Sequence, residues 1–186
     1  MHSWFEKWLG FSERDPESVY SNMQIAGEYL TSRANARRVR CGRLEMPTLK
    51  EIRRRVLSIS PPSGRLCLRE VVADVGALHE KPEHADALFQ VASQFNLLEM
   101  VGPHVTPADG ITRYVNDRTQ GPTCALAAAG GTLYRNYWVP LQGAIGQTSG
   151  AQVDCLADLG QALGNDKNGW WAMQNGYVLP NSGALE

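Results

Sequence analysis

Residues 85–93, ADALFQVAS, are apolar at Ala87, Leu88, Phe89, Val91 and Ala92 with little polar interruption. An unbroken run of this length reads as a strand buried in the middle of a sheet, covered on both faces. RLCLREVVADV (65–75) is rich in Leu and Val and predicts a second strand. Helical patterns surround them. DPESVYSNMQIAGEYL (15–30) predicts a helix with Asp15 as N-cap and Pro16 in its first turn. RRVRCGRLEM (37–46) has the spacing of an extended segment. TLKEIRRRVL (48–57) follows Pro47 as a helix carrying Leu49, Ile52, Val56 and Leu57 on one face. PPSG (61–64) is a turn.

GPTCALAAAG (121–130) predicts a short helix opened by Pro122 and stopped by Gly130 and Gly131, and TLYRNYWVPL (132–141) a further strand. QVDCLADLGQAL (152–163) reads as a helix, and NGWWAMQNGYVLP (168–180) as a last strand or a hairpin turning at QNGY. Strands alternating with helices imply an α/β fold, a layered, mixed or mostly parallel sheet flanked by helices. A basic segment, 1–60, is expected to pack on or extend from an α/β ligand-binding core, 61–186.

An apolar fraction of 43% and five Trp supply a globular core. No stretch approaches a membrane span, so no membrane partner is expected, and MHSWFEKWLGFSERD lacks the pattern of a secretory signal. Cys41, Cys67, Cys124 and Cys155 lie far apart with no Cys/His cluster. That spacing calls for no metal or other cofactor and points to reduced thiols in a cytoplasm. The closing Leu185-Glu186 has the look of a vector-derived pair, which would let the natural chain run on.

The net charge of −1 hides an asymmetry, because nine basic residues fall between Arg33 and Arg55 with only Glu45 and Glu51 among them. A solvated helix face explains this stretch, and nucleic acid is the partner it would otherwise fit.

Chemistry is expected where strands end. Asp74 ends one apolar run, and Ser93, Gln94 and Asn96 end another. Buried polar groups need partners, so that cluster predicts an open crevice. A third strand feeds Gly143, Ala144, Ile145, Gly146 and Gln147, a glycine loop whose N–H groups could approach an anion. Asn96 is therefore expected to line a pocket with that loop and with a side chain from 113–120 or 134–137. In the latter stretches Gln120, Tyr134 and Arg135 stand out: Arg135 could pair with phosphate and Tyr134 could stack on a base.

The order of these pieces resembles one family, the macrodomains, which bind ADP-ribose. Their pattern is a strand ending Gly-Asp-Ile, a short connection, and a buried strand DAIVNAAN. VVADVGALHEKPEHADALFQVASQFN is similar, with Asp74 at the aspartate, Asp86-Ala87 opening the second strand and Asn96 at the asparagine. GAIGQT (143–148) is similar to the family's GIFGYP loop. The glycine run that follows the asparagine in macrodomains is replaced here by LLEMVGPHVTPADG. The resemblance implies that Asp74 accepts a hydrogen bond from adenine, that residues 143–147 wrap a diphosphate, and that Asn96 sits by the distal ribose. It implies binding of ADP-ribose or a related nucleotide, attached to protein or nucleic acid, and its hydrolytic removal. Glu99 or Asp117 would then activate water or assist the leaving group.

A rival reading is a cysteine-dependent hydrolase. Cys124 follows TQGPT at a helix start, and Gln120 could donate to an oxyanion, but all four His precede the cysteine. A third is a non-enzymatic module docking nucleic acid or a partner through 33–55.

Overall fold

The computed structural model describes residues 2–59, 64–90, 93–141 and 143–184. The chain is mixed α/β. Its N-terminal part forms α1 (Trp4–Leu9), α2 (Pro16–Asn22) and a meander of β1 (Met23–Ala26), β2 (Tyr29–Ser32) and β3 (Arg38–Arg40). Asp15 and Pro16 start α2 as expected: the Asp15 carboxylate accepts from Ser18 N at 2.7 Å. The helix stops at Asn22, however, because residues 23–32 fold back on themselves as the β1–β2 hairpin.

Next come α3 (Leu49–Leu57), capped by Thr48, and α4 (Val75–Glu80), capped by Asp74. Then follow α5 (Gln120–Ala127), α6 (Ala129–Tyr137), a short hairpin of β4 (Pro140–Leu141) and β5 (Ala144–Ile145), α7 (Ala157–Leu163) and α8 (Asn165–Asn168). A closing hairpin pairs β6 (Trp171–Gln174) with β7 (Tyr177–Pro180). Its turn has positive φ at both Asn175 (48°) and Gly176 (80°), the geometry that an Asn-Gly pair favours.

Three expectations fail. Every strand pairing among the described residues is antiparallel, in sheets of three, two and two strands, so the layered parallel sheet is not what these residues form. Residues 65–74 and 85–90 form no strand; Leu66, Leu68, Val72 and Leu88 find no neighbouring strand and remain exposed. Val91 and Ala92, the end of the second run, lie outside the described residues. Residues 132–137 are helical, not extended. Leu133, Asn136 and Tyr137 repeat at helical spacing and are buried together, so a 3.6-residue period overrides the alternation read from TLYRNYW.

The main core joins the N-terminal residues 5–41 to residues 111–137. Phe5, Leu9, Phe11, Val19, Met23 and Leu30 pack with Ile111, Tyr114, Ala125, Leu133 and Tyr137. Glu13 ties the halves together. Its carboxylate accepts from Ile111 N at 3.0 Å, Thr112 N at 2.6 Å and the Tyr137 hydroxyl at 2.7 Å. Gly110, at φ 72°, lets the loop approach; a Cβ there would fall 2.6 Å from Glu13 Cδ.

By contrast α3 buries none of its residues, and its apolar and cationic faces are both exposed. No helix of the described residues is long and apolar enough to cross a membrane. None of the four cysteines is in a disulfide.

Candidate functional site

The segment 94–100 is shaped by side chains that bond to backbone. Asn96 is fully buried: its Oδ1 accepts from Leu98 N at 3.1 Å and its Nδ2 donates to Gln152 Oε1 at 2.9 Å. Gln147 Nε2 donates both to the Asn96 carbonyl (2.8 Å) and to the Arg135 carbonyl (3.0 Å). Gln152 in turn donates to Asn175 Oδ1 at 2.7 Å. Gln94 accepts from Met100 N at 2.9 Å and donates to the Tyr177 hydroxyl at 3.2 Å.

The convergence of Asn96 with the glycine loop and the 134–137 stretch is thus present, but as a closed network. Both functional atoms of the Asn96 amide are engaged within the protein, and the residue is fully buried. Its role here is to hold Leu97, which has a positive φ of 64°, and so to aim Glu99.

Glu99 faces a cleft of about 330 Å³ shared with Gln94, Asp117, Thr119, Gln120 and Gly121. Its backbone N–H is fixed by the Tyr114 hydroxyl at 3.0 Å, while its half-buried carboxyl accepts no hydrogen bond among the described residues. Burial pushes that carboxyl up to about 7; Arg135 pulls it down and Asp117 pushes it further up. Gly121, in the first turn of α5, makes room, since a Cβ there would overlap the Glu99 carboxylate.

Asp117 is held the other way. Its carboxylate accepts from Thr119 Oγ1 at 2.7 Å and Thr119 N at 2.9 Å, which keeps it below the usual carboxylate range. Tyr114 is pushed up to about 12, chiefly by burial.

Behind the cleft, α4 packs on α5 and brings His79 Nε2 to 3.3 Å from Cys124 Sγ. The His79 ring stacks on Phe89 with centroids 3.9 Å apart. Cys124 is the fifth residue of α5, beyond the first turn, and burial together with Glu99 pushes its thiol up rather than down.

Four expected residues, Gln94, Glu99, Asp117 and Gln120, meet in this cleft. Others are elsewhere. Asp74 caps α4, accepting from Ala77 N at 2.8 Å, because the chain turns into a helix where a strand end was expected. Gly143 lies in the β4–β5 turn, Ala144 and Ile145 are β5 itself, and Gly146 follows that strand. The N–H groups of Gly146 and Gln147 donate inward, to Val139 and Asn136 carbonyls at 2.8 Å each. Tyr134 packs against the main core.

His79 and Gly121 were not singled out for this site by the sequence, and Tyr114 was expected there only as part of the 113–120 stretch. Only the glycine inside TQGPT hinted at a close approach; the other two reach the site through helix packing. No protein-family model matches the chain, and no curated protein or solved structure matches it.

Proposed function

We propose that this protein is a divergent macrodomain-like hydrolase that removes ADP-ribose, or a closely related nucleotide, from a modified target. One observation carries the reading: two carboxyls face one cleft with their proton affinities driven apart, Glu99 upward and Asp117 downward. That division suits the acid and base of glycosidic hydrolysis. Protonated Glu99 gives its proton to the oxygen leaving the ribose anomeric carbon as the glycosidic bond breaks. Ionised Asp117 takes a proton from the water that attacks the same carbon. Gln120 and Thr119 line the same cleft and would bond ribose hydroxyls. The choice of ADP-ribose rests on the order of Asp74, Asp86-Ala87, Asn96 and residues 143–148 in the chain.

A second reading follows from the contact between His79 and Cys124: a cysteine hydrolase in which His79 takes the thiol proton. The raised thiol and its place past the first turn of α5 favour the carboxylate pair instead.

The test is release of ADP-ribose from an ADP-ribosylated protein by the full chain. Glu99→Gln should lower the rate by roughly 10²–10⁴-fold, the usual worth of general acid catalysis. Cys124→Ser should leave it active. An active Glu99→Gln protein, or loss of activity in a folded Cys124→Ser protein, overturns the proposal.

A further inference from the structure

A larger opening lies at the other end of α5. About 870 Å³ in volume, it is bounded by Trp4, Trp8, Arg40, Cys41, Gly131 and Arg135, among other residues, and shares no lining residue with the Glu99 cleft. That volume falls within the range of sites that take nucleotide-sized ligands.

Its aromatic wall is preset. The Trp4 and Trp8 rings lie 5.7 Å apart and 28° from parallel, and Trp4 Nε1 is anchored to the Thr112 carbonyl at 2.7 Å. Its cation is held by neutral partners. Arg135 donates from Nε to the Leu97 carbonyl and from Nη2 to Thr132 Oγ1, both at 3.0 Å and both neutral partners. No carboxylate lies within 4.0 Å of the Arg135 guanidinium among the described residues. A Cβ at Gly131 would sit 3.5 Å from Arg135 Nη1, so the glycine keeps that nitrogen approachable. A guanidinium withdrawn from water with no ion pair closer than 4.0 Å, and only the Glu99 carboxyl as a charged neighbour, is costly, and an anion in the cavity relieves that cost.

We propose that this cavity binds a nucleoside diphosphate, its base on the Trp4–Trp8 wall and its phosphates on Arg135 and, at the rim, Arg40. Neither half of the wall explains the other. An apolar ligand has no use for a guanidinium held without a direct ion pair, and a bare phosphate has none for two fixed indoles.

Calorimetric titration of the full chain with ADP, adenosine and inorganic pyrophosphate tests this. ADP should bind about tenfold or more tightly than either fragment, because each fragment engages one wall only. Trp8→Leu and the exposed Arg40→Ala should each weaken ADP several-fold, and Arg135→Met by about tenfold or more, with folding checked by circular dichroism. No heat with millimolar ADP, or unchanged ADP affinity in folded Trp8→Leu and Arg40→Ala proteins, overturns it. The outcome is separable from that of the cleft: loss of hydrolysis in Glu99→Gln with ADP affinity indifferent to Trp8→Leu would leave the carboxylate pair standing and remove this site.

Discussion

Glu13 and Glu99 are both half-buried glutamates, one beside the core shared by the N-terminal residues and residues 111–137 and one in the cleft. The Glu13 carboxylate accepts from two backbone N–H groups and a tyrosine hydroxyl, and Tyr137, whose hydroxyl it holds, is pushed up by burial and by that carboxylate. The Glu99 carboxyl is withdrawn from water with no donor aimed at it. A carboxylate surrounded by donors is a fastener. A carboxyl left without them keeps its proton towards neutral pH and has it available to give away. The difference lies in what each side chain meets, not in residue type.

The widest gap between the two should appear in stability. Glu13→Ala strands Ile111 N, Thr112 N and the Tyr137 hydroxyl, and is expected to cost about 3–5 kcal/mol, at about 1–3 kcal/mol for each unsatisfied group with partial relaxation. Urea unfolding monitored by tryptophan fluorescence would measure it. A cost below 1 kcal/mol would make Glu13 an ordinary surface acid and dissolve the contrast.

Asn96→Ala should come next, at about 2–3 kcal/mol, because Leu98 N and Gln152 Oε1 both lose their partner. The same unfolding measurement applies. A fully stable Asn96→Ala protein would mean that the network does not hold the segment that carries Glu99.

How far the chain could be read in advance follows from how local each signal is. The start of α2 at Asp15-Pro16, the span of α3 after Thr48, and the Asn175-Gly176 turn rest on neighbours a few residues apart, and each stands where the residues place it. Leu66, Leu68, Val71 and Val72 read as a strand, but a strand exists only when another pairs with it, and none does among the described residues. In TLYRNYW, Tyr and Trp suggested extended backbone, whereas burial of Leu133, Asn136 and Tyr137 together requires a helix. Toward the cleft, Gln94 stood out among the polar residues that end an apolar run, Gln120 in the polar stretch beside the short helix, and Glu99 and Asp117 only through the mechanism the resemblance implies. Asp74 misled because a strand-end aspartate and a helix cap look alike in sequence. The contact between His79 and Cys124 spans 45 positions and depends on how α4 lies on α5, which no local pattern encodes.

A smaller effect, opposite in sign, should come from Glu99→Gln. The folded protein holds the Glu99 proton up to about pH 7, whereas the unfolded chain releases it near 4.5. The native state therefore binds more protons between those values, and stability falls as pH rises through that window. Removing the charge should raise stability at pH 8 by about 1 kcal/mol, discounted for partial exposure, and leave it unchanged at pH 4. Unfolding midpoints of both proteins across pH would check this.

Gly121→Ala is expected to change stability least. The gain in helix propensity, about 1 kcal/mol, offsets the displacement of the Glu99 carboxylate. Its signature is chemical: the displaced carboxyl becomes solvated and should titrate lower than in the wild type, with slower release of ADP-ribose.

The titration of Glu99 itself tests the central contrast most directly. Carbon-detected NMR of the glutamate side-chain carboxyls, with Glu99→Gln supplying the assignment, should show one carboxyl with a midpoint near 7 that vanishes in the variant. A Glu99 midpoint at the ordinary 4.5 would contradict it, because the cleft would then hold two ionised carboxylates at neutral pH and no acid.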